Sequence, residues 1–244
     1  MILRKVQAIH RGSRGTYGSP RIHDALTGSG MAIGRKRVAR IMRAHHIKAR
    51  CARIYRRNPG RSIFYTGVPN RSLEVASNAP NQVWLGDITY LKVGQAWRYL
   101  AVILDKCSRR VLSWRLGKEK SSALTGTALD CAVRRHRPPE GVVFHTDRGI
   151  EYGAYDFRDR LARFGFIQSM NRPGTINDNA RMESFFHSLK AEGVHGSRFT
   201  NDGSLRAFLT AYVRFYNNQR AHSALGYRTP AAFEQECVGQ LGVN

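Results

Sequence analysis

Apolar residues recur at helical spacing in the first fifty residues of the chain. After Ser19-Pro20, a capping residue followed by proline at the first helical position, the pattern predicts a helix that ends at Gly28 or Gly30. A second helix is predicted to begin near Gly34. Its apolar stripe consists of Val38, Ile41 and Met42. Two short helices joined by a glycine turn predict a helix-turn-helix unit.

The pattern changes after residue 80, where alternation of apolar and polar residues predicts strands. Residues 83–91 alternate so that Asp87 shares one face with Leu85 and Thr89. A turn at Gly94-Gln95 leads into a second strand over 97–104. The other predicted elements are strands over 110–116, 142–144 and 167–170 and helices over 121–135, 155–164, 178–192 and 205–217. This order predicts an α/β fold with a mixed five-stranded sheet and helices on both faces.

Charge separates the two units and indicates their partner. The 244 residues include 40 Lys and Arg against 17 Asp and Glu, a net charge of +23, which is typical of proteins that bind nucleic acid. Residues 1–60 contain a single acid, Asp24. The second predicted helix carries basic residues around its apolar stripe, and we predict that these contact DNA: Arg35, Lys36, Arg37, Arg40 and Arg43. A plain helical hairpin with solvated arginines is the alternative interpretation.

The remaining composition argues against membrane and secreted proteins. The longest apolar stretch, residues 99–104, is too short to span a bilayer, and the chain begins without an apolar signal segment. Four cysteines lie far apart, which indicates neither a zinc site nor a disulfide scaffold. We expect a cytoplasmic protein, associated with the nucleoid when it is bound to DNA, and no membrane partner.

We divide the chain into four segments. Residues 1–50 form the predicted helix-turn-helix DNA-binding domain, and residues 51–80, rich in Arg, Asn, Pro and Gly, form a basic linker. Residues 81–235 form the predicted α/β core with its C-terminal helices, and residues 236–244 form a predicted tail.

Three acidic residues are candidates for a metal site. Asp87 lies in mid-strand, where an unpaired carboxylate is costly unless a cation compensates it. Asp147 directly follows a buried strand, where α/β sheets place their sites, and Glu183 lies one turn into a helix, away from its apolar stripe. Carboxylates on separate elements suit two Mg²⁺ ions that act on a phosphodiester. On spacing alone, a structural role for each acid stays open.

The motifs around these acids resemble one family. Between Asp147 and Glu183 lie 35 residues, and Lys190 follows Glu183 by seven. The motifs are residues 14–22 (RGTYGSPRI), 34–40 (GRKRVAR), 84–90 (WLGDITY), 145–149 (HTDRG), 178–186 (DNARMESFF) and 216–222 (YNNQRAH). Together they resemble the second-frame protein (OrfB) of insertion sequence three family transposases, which have an integrase-type catalytic core.

The resemblance implies an RNase H-like fold preceded by the small all-helical domain. It implies that Asp87, Asp147 and Glu183 are the catalytic acids and hold two Mg²⁺ ions, with Mn²⁺ as a possible substitute. The activity expected is metal-dependent cleavage of DNA at insertion-sequence ends, followed by strand transfer to a target. The sequence departs from the family pattern at Ile150-Glu151-Tyr152, where a further acid lies near the site, and at residues 175–177.

Lys190 is predicted to contact DNA. Seven residues make nearly two helical turns, so Lys190 lies on the face that presents Glu183. A solvent-exposed helix lysine is the alternative.

Partners and competing functions follow from the same resemblance. DNA, a first-frame transposase protein or a fusion with it, and further copies of the chain on DNA are the expected partners, because the chain lacks the leucine-rich heptads of first-frame products. Relatives commonly carry more residues before the motif at residues 14–22. Two other functions stay open, a hydrolytic RNase H-like nuclease and a DNA-binding protein whose catalytic site has decayed.

Overall fold

The computed structural model of the chain describes residues 1–50 and 67–241. The first three helices are α1 (Ile2–Gly12), α2 (Ser19–Gly28) and α3 (Arg35–Ala44). The strands are β1 (Val83–Val93), β2 (Ala96–Asp105), β3 (Val111–Gly117), β4 (Val143–Thr146) and β5 (Ile167–Met170). The other helices are α4 (Ser122–His136), α5 (Ile150–Gly153), α6 (Tyr155–Arg163), α7 (Ala180–Leu189), α8 (Asp202–Asn218) and α9 (Pro230–Leu241), and a π-helical turn, Lys190–Val194, follows α7.

The N-terminal unit is a bundle of three helices. Helices α2 and α3 match the two predicted helices, and α1 precedes them. Helix α1 was not predicted, although Ile2, Val6 and Ile9 recur along it at helical spacing. The three helices bury a common apolar core that consists of Val6, Tyr17, Ile22, Leu26, Ile33, Val38 and Met42. The all-helical N-terminal domain is thus confirmed, with one helix more than expected.

The five strands form one mixed sheet in the order β3-β2-β1-β4-β5. Strands β1 and β2 and strands β2 and β3 pair antiparallel, whereas β4 pairs parallel with both β1 and β5. The parallel register joins Gly86 to Thr146 as the last pair between β1 and β4. The predicted α/β class and the RNase H-like mixed five-stranded sheet are therefore confirmed.

Helices cover both faces of the sheet. Side chains of β1 alternate, so Leu85 packs in a core with α7 and α8 while Trp84 packs in a second core with α4 and α6. The first core contains Met182 and Phe185 of α7. This packing holds α7 against the face of the sheet that also carries Asp87.

The segment assigned to a basic linker, 51–80, differs from that expectation in the part described. Residues 51–66 lie outside the described residues. Residues 67–80 contact the core: the Met170 amide donates to the Pro69 carbonyl (3.2 Å), and the Ser72 amide donates to Ser169 Oγ (3.1 Å). These bonds attach the segment to β5, which is an edge strand of the sheet. The Pro69 carbonyl accepts from a backbone amide of this edge strand.

The C-terminal segment is more ordered than the expected tail over 236–244. Thr229 Oγ1 accepts from the Ala232 amide (3.2 Å) at the start of α9, which continues to Leu241. Arg110 pairs with Glu234 of α9 (2.9 Å) and so ties this helix to the core. Residues 242–244 lie outside the described residues. Over the described ranges, the structure contains no helix with the length and apolar character that a membrane crossing requires.

Tyr17 connects the N-terminal unit to the α/β core. Its hydroxyl donates to the Gln219 carbonyl (3.0 Å) and accepts from the Ala221 amide (2.7 Å). The Arg14 guanidinium lies 4.8 Å from the centre of the Phe215 ring. The N-terminal unit therefore docks on the segment that follows α8, a contact between residues some 200 positions apart.

Candidate active site

Asp87 occupies a buried position in the middle of the sheet. It lies in β1 opposite Val102 of β2, and only 8% of its surface is exposed. Its Oδ1 atom accepts a hydrogen bond from the Ile88 amide (2.7 Å). Because side chains alternate along β1, the carboxylate projects from the face that packs against α7.

Asp147 lies beside Asp87 in the strand register. It directly follows Thr146, the residue of β4 that pairs with Gly86, so the next position on each strand is an aspartate. Asp147 is 6% exposed, and its Oδ1 atom accepts from the Gly149 amide (3.1 Å). Gly86 leaves room for the Phe144 ring of β4, since a Cβ there would lie 2.9 Å from that ring. The fold thus brings two of the three predicted acids onto neighbouring positions.

Glu183 lies on the first turn of α7, which packs on the same face of the sheet. The buried neighbours Met182 and Phe185 fix this helix, while the Glu183 side chain itself is exposed. Within residues 1–50 and 67–241, no three His, Cys, Asp or Glu side chains gather closely enough to hold a metal ion. The structure therefore pairs Asp87 with Asp147 and leaves Glu183 outside a closed cluster. The assignment of the three acids as one catalytic set stays a prediction.

Lys190 lies close to the first acid. Its ammonium nitrogen is 5.1 Å from the centre of the Tyr90 ring, three residues along β1 from Asp87. Burial lowers the pKa of Lys190, and the charge of Asp87 opposes this shift. Lys190 is half-buried, so it is not the solvent-exposed helix lysine of the alternative interpretation. Its contact with Tyr90 was not predicted, because the two residues are 100 positions apart.

A further acid lies next to Asp147. Glu151, on α5, has a buried carboxyl group whose Oε1 atom pairs with the Lys120 ammonium at 2.7 Å. A Cβ at Gly149 would lie 2.4 Å from Glu151 Oε1 and 3.0 Å from Asp147 Oδ1, so both carboxyl groups lie against this glycine. We call Asp147, Glu151 and Lys120 the acidic cluster.

Family models match nearly the whole chain in three consecutive pieces. An HTH-like domain matches residues 2–55, and two models of the integrase core domain match residues 77–175 and 165–230. The first boundary agrees with the helical N-terminal unit, and the second begins just before β1.

Curated relatives extend over most of the chain. The insertion element IS600 uncharacterized 31 kDa protein of Shigella sonnei is 37% identical over 95% of this chain and 86% of its own length. Transposase InsF for insertion sequence IS3A of Escherichia coli (strain K12) is also 37% identical, over 92% of this chain and 78% of its own length. The chain belongs to the IS3 family of transposases. The family resemblance expected from the motifs is confirmed.

Solved structures resemble this IS3-family chain in fold. A chain of the simian T-cell lymphotropic virus intasome, in complex with PP2A regulatory subunit B56 gamma, superimposes with a TM-score of 0.55 at 18% identity. The match covers 86% of this chain and 69% of that chain. The HTLV-2 integrase catalytic core domain in complex with magnesium (trimeric form) gives a TM-score of 0.51 at 20% identity, over 64% of this chain and 97% of that one. These likenesses support the integrase-like fold.

A second polar cluster joins α7 and the π-helical turn to α8 and the segment that follows α8. The sequence analysis did not predict it. Arg220 Nε donates to both carboxylate oxygens of Glu192, at 3.0 and 2.9 Å, and the Tyr212 hydroxyl donates to Glu192 Oε2 at 3.1 Å. Arg220 also donates to Ser188 Oγ on α7 (3.3 Å). We call Arg220, Glu192, Tyr212, Ser188 and His222 the arginine cluster. Its signal in the sequence was the motif at residues 216–222, which carries no period that could be recognised.

The five predicted DNA contacts of α3 are all exposed. Arg35, Lys36, Arg37, Arg40 and Arg43 surround the buried stripe of Val38 and Met42. Helix α3 therefore presents a basic surface away from its own core. Whether these side chains contact DNA stays a prediction.

Two polar residues near the acids, His145 and Asp178, interact with neighbouring protein groups. His145 is fully buried in β4, 2.8 Å from Ser169 Oγ, and burial lowers its pKa to about 4, so it is uncharged at neutral pH. Asp178 begins the helix predicted over 178–192, where an aspartate could serve as its cap, but α7 has no side-chain cap. The Asp178 Oδ2 atom instead accepts from the Arg172 amide and Asn70 Nδ2, both at 2.8 Å, in the turn before α7.

Proposed function

We propose that this chain is the catalytic subunit of an insertion-sequence transposase, which cleaves DNA at the ends of its element. The freed 3′ hydroxyl then attacks a phosphodiester of the target, so that the element's 3′ end is joined to the target phosphate and the target's own 3′ oxygen leaves. The observation that carries the proposal is the register of β1 and β4, which sets Asp87 beside Asp147 in a basic chain. Membership of the IS3 family supports the same reaction.

Asp87, Asp147 and Glu183 are proposed to hold Mg²⁺, with Mn²⁺ as a substitute. The donors fit such an ion because Mg²⁺ prefers carboxylate oxygens and completes its shell with water and phosphate. Two local features support the fit: Asp87 and Asp147 directly follow the paired residues Gly86 and Thr146, and a Cβ at Gly149 would lie 3.0 Å from Asp147 Oδ1, so the glycine leaves this carboxylate uncrowded. When bound, two such ions activate the attacking oxygen and stabilise the leaving oxygen of a phosphodiester displacement.

The side chains around the acids position the DNA. Lys190 is proposed to contact a phosphate beside the scissile bond, since its ammonium lies over the Tyr90 ring and within the electrostatic influence of Asp87. The exposed basic residues of α3 are proposed to contact phosphates further along the duplex. Further copies of the chain and a first-frame protein, or a fusion with it, are the proposed partners on the element ends.

Substitution of Glu183 tests the catalytic assignment. Purified Glu183→Gln is incubated with labelled element-end DNA and Mg²⁺ or Mn²⁺, with and without the first-frame partner. We expect cleavage to fall below detection while DNA binding stays at the wild-type level, because the amide removes a metal-binding charge. The matched control is His187→Gln, which changes an exposed residue one turn further along α7. Retained cleavage in Glu183→Gln would contradict the assignment.

The products distinguish transposition from hydrolysis. A transposase produces strands joined to the target DNA as well as cut ends, whereas a hydrolytic nuclease produces cut ends alone. Lys190→Glu should lower joining far more than overall DNA affinity, because its charge is needed beside the reacting phosphates. Normal joining by Lys190→Glu would remove Lys190 from the proposal.

The salt dependence of binding tests α3. Each phosphate contact contributes about 0.9 to the slope of log affinity against log salt, so replacing Arg35, Lys36 and Arg40 with alanine should reduce the slope by nearly three units. The control replaces the exposed Arg134 and Arg135 of α4. An unchanged slope in the α3 variant would mean that these side chains face solvent in the complex.

A further inference from the structure

Two large aromatic side chains are exposed on the hairpin that β1 and β2 form. Tyr90 of β1 is 45% exposed, and Trp97 of β2 is 51% exposed. Their ring centres lie 5.1 Å apart, with the ring planes nearly perpendicular. Rings of this size are more often buried, and among the described residues neither ring belongs to the two cores of the sheet. We call Tyr90 and Trp97 the aromatic pair.

The aromatic pair lies on a stretch of β1 that has an open edge. Strand β4 pairs with β1 from Val83 to Gly86, and beyond Gly86 β1 pairs with β2 alone among the described strands. Tyr90 follows Asp87 by three residues on this stretch, which is about 10 Å along the strand. A ligand on the aromatic pair would therefore lie close to the first of the predicted catalytic acids.

Lysines accompany the aromatic pair, and its own hairpin carries no carboxylate. Residues 88–104 contain no acid. Lys92 is exposed and lies opposite Trp97 in the strand register. The Lys190 ammonium lies 5.1 Å from the centre of the Tyr90 ring. Exposed rings next to two lysines suit a ligand that combines a flat ring with negative charge.

A nucleotide has this combination. Every DNA base has a face that stacks on an aromatic side chain, and its phosphate attracts a lysine. A base inside a duplex is already stacked on both sides, so an unpaired base or a strand end is what offers its face to the protein. A second copy of this chain fits less well, because it would bring its own net charge of +23 to a basic surface.

We propose that the aromatic pair is a base-stacking surface, which holds an unpaired nucleotide of the DNA strand bound at the transposase site. Trp97 makes the main contact, because its ring is the larger and the more exposed. Tyr90 supports the Trp97 ring through their perpendicular contact, and Lys92 attracts the phosphate. This inference rests on the proposed function, because it takes DNA as the ligand of this face.

The affinities for two oligonucleotides test the stacking. Fluorescence anisotropy measures binding of the full chain to labelled oligothymidine and to an abasic oligonucleotide of the same length, which retains the phosphates and lacks the bases. A stacked base contributes roughly tenfold or more to affinity, so the wild type should prefer oligothymidine by about that factor. Trp97→Ala should lose this preference. Lys92→Gln should weaken binding of both probes alike and keep the preference, because it removes charge and no ring.

Matched variants control for folding and for aromatic residues elsewhere. Trp97→Phe retains a ring and should keep most of the preference for oligothymidine. Tyr155→Ala removes an aromatic side chain of α6 that is 79% exposed, and it should bind both probes like the wild type. Thermal melting checks the folding of each variant. If Trp97→Ala does not fold, Trp97→Leu, which is apolar and has no ring, replaces it with the same expected result.

The outcomes separate this inference from the proposed function. A preference for oligothymidine that is absent in the wild type, or unchanged in Trp97→Ala, overturns the stacking surface and leaves the catalytic assignment to the Glu183→Gln experiment. Retained cleavage in Glu183→Gln with a lost preference in Trp97→Ala overturns the catalytic assignment and supports the stacking surface.

Sedimentation velocity of the free chain addresses the other occupant. Wild-type association of Trp97→Ala, together with its lost preference for oligothymidine, supports a DNA ligand. Dissociation of an oligomer in Trp97→Ala with an unchanged preference would assign the aromatic pair to a contact between copies of the chain, which overturns the inference.

Discussion

The acidic cluster and the arginine cluster each contain a buried glutamate paired with a basic side chain. They differ in whether both carboxylate oxygens of the glutamate have a partner. In the arginine cluster, both oxygens of Glu192 accept hydrogen bonds, from Arg220 and from Tyr212. In the acidic cluster, one oxygen of Glu151 pairs with Lys120 and the other has no partner. A fully bonded network stabilises the fold, whereas a buried oxygen without a partner costs stability.

The cations differ in the same sense. The Arg220 side chain is 6% exposed, so Glu192 and not water compensates its positive charge. The Lys120 side chain is 43% exposed and keeps contact with water. Identical substitutions in the two pairs should therefore have very different effects on stability.

The largest effect is expected for Glu192→Gln. It leaves the buried Arg220 without its counter-charge and should lower the free energy of unfolding by about 3–5 kcal/mol. Glu151→Gln leaves a lysine that water can solvate and should cost less than about 1 kcal/mol. Urea denaturation of both variants checks the difference. Equal losses would mean that the two ion pairs have the same structural role.

The next effect concerns acid stability and His222. Burial, together with the positive charges of Arg220 and Arg21, lowers the pKa of His222 to about 3, below the ordinary value of 6.5. The unfolded chain then binds a proton that the folded chain does not, so the contribution of neutral His222 to stability is lost as pH falls from about 6.5 towards 3. His222→Phe retains an aromatic ring against Tyr216.

Urea midpoints at pH 7 and pH 5 measure this dependence. The wild type should lose more stability between the two values than His222→Phe, which has no group to titrate at this position. A loss of the same size in both proteins would assign the acid sensitivity to other residues.

A smaller effect is expected where the N-terminal unit meets the core. Tyr17→Phe removes the hydroxyl that bonds Gln219 and Ala221, and each such hydrogen bond contributes about 0.5–1.5 kcal/mol. Thermal melting should show a lower Tm for this variant. Tyr155→Phe, at a residue that is 79% exposed, is the control and should melt like the wild type. Equal melting of the two variants would indicate that the hydroxyl contact contributes nothing to stability.

The smallest effect is expected at an exposed ion pair. Glu236→Gln breaks the pair with Arg228 on the surface of α9, where both side chains are more than 40% exposed. Such pairs contribute about 0–1 kcal/mol, so its urea midpoint should stay near that of the wild type. A loss as large as that of Glu192→Gln would mean that burial does not decide the strength of these pairs.

Local patterns in the sequence predicted the elements and not their contacts. The stripe of Val38 and Met42 predicted α3, and the alternation around Asp87 predicted β1, because both depend on neighbours within a few residues. The same alternation placed Asp87 and Leu85 on one face. Helix α1 was missed despite its apolar spacing, and α9 continues past residue 236, where the tail was expected to begin.

Contacts between distant residues could not be predicted by these means. The motifs at residues 14–22 and 216–222 meet where the Tyr17 hydroxyl bonds the backbone of residues 219 and 221. Neither motif contains a period that points to the other. Lys190 and Tyr90 were likewise joined by the packing of α7 on the sheet. The proximity of Asp87 and Asp147 could have been predicted from the sequence, since it required only the parallel pairing of two predicted strands.

The π-helical turn after α7 sets the directions in which two functional side chains leave one helix. The His195 amide donates to the Lys190 carbonyl (2.7 Å), five residues back instead of four, so the turn contains one residue more than an α-helix would. Each residue of an α-helix rotates the chain by about 100°. Deleting one residue between Lys190 and Glu192 would therefore leave Lys190 beside Asp87 and swing Glu192 away from Arg220. The extra residue in this segment therefore lets one continuous helix direct Lys190 towards the face of the sheet that carries Asp87 and Glu192 towards Arg220.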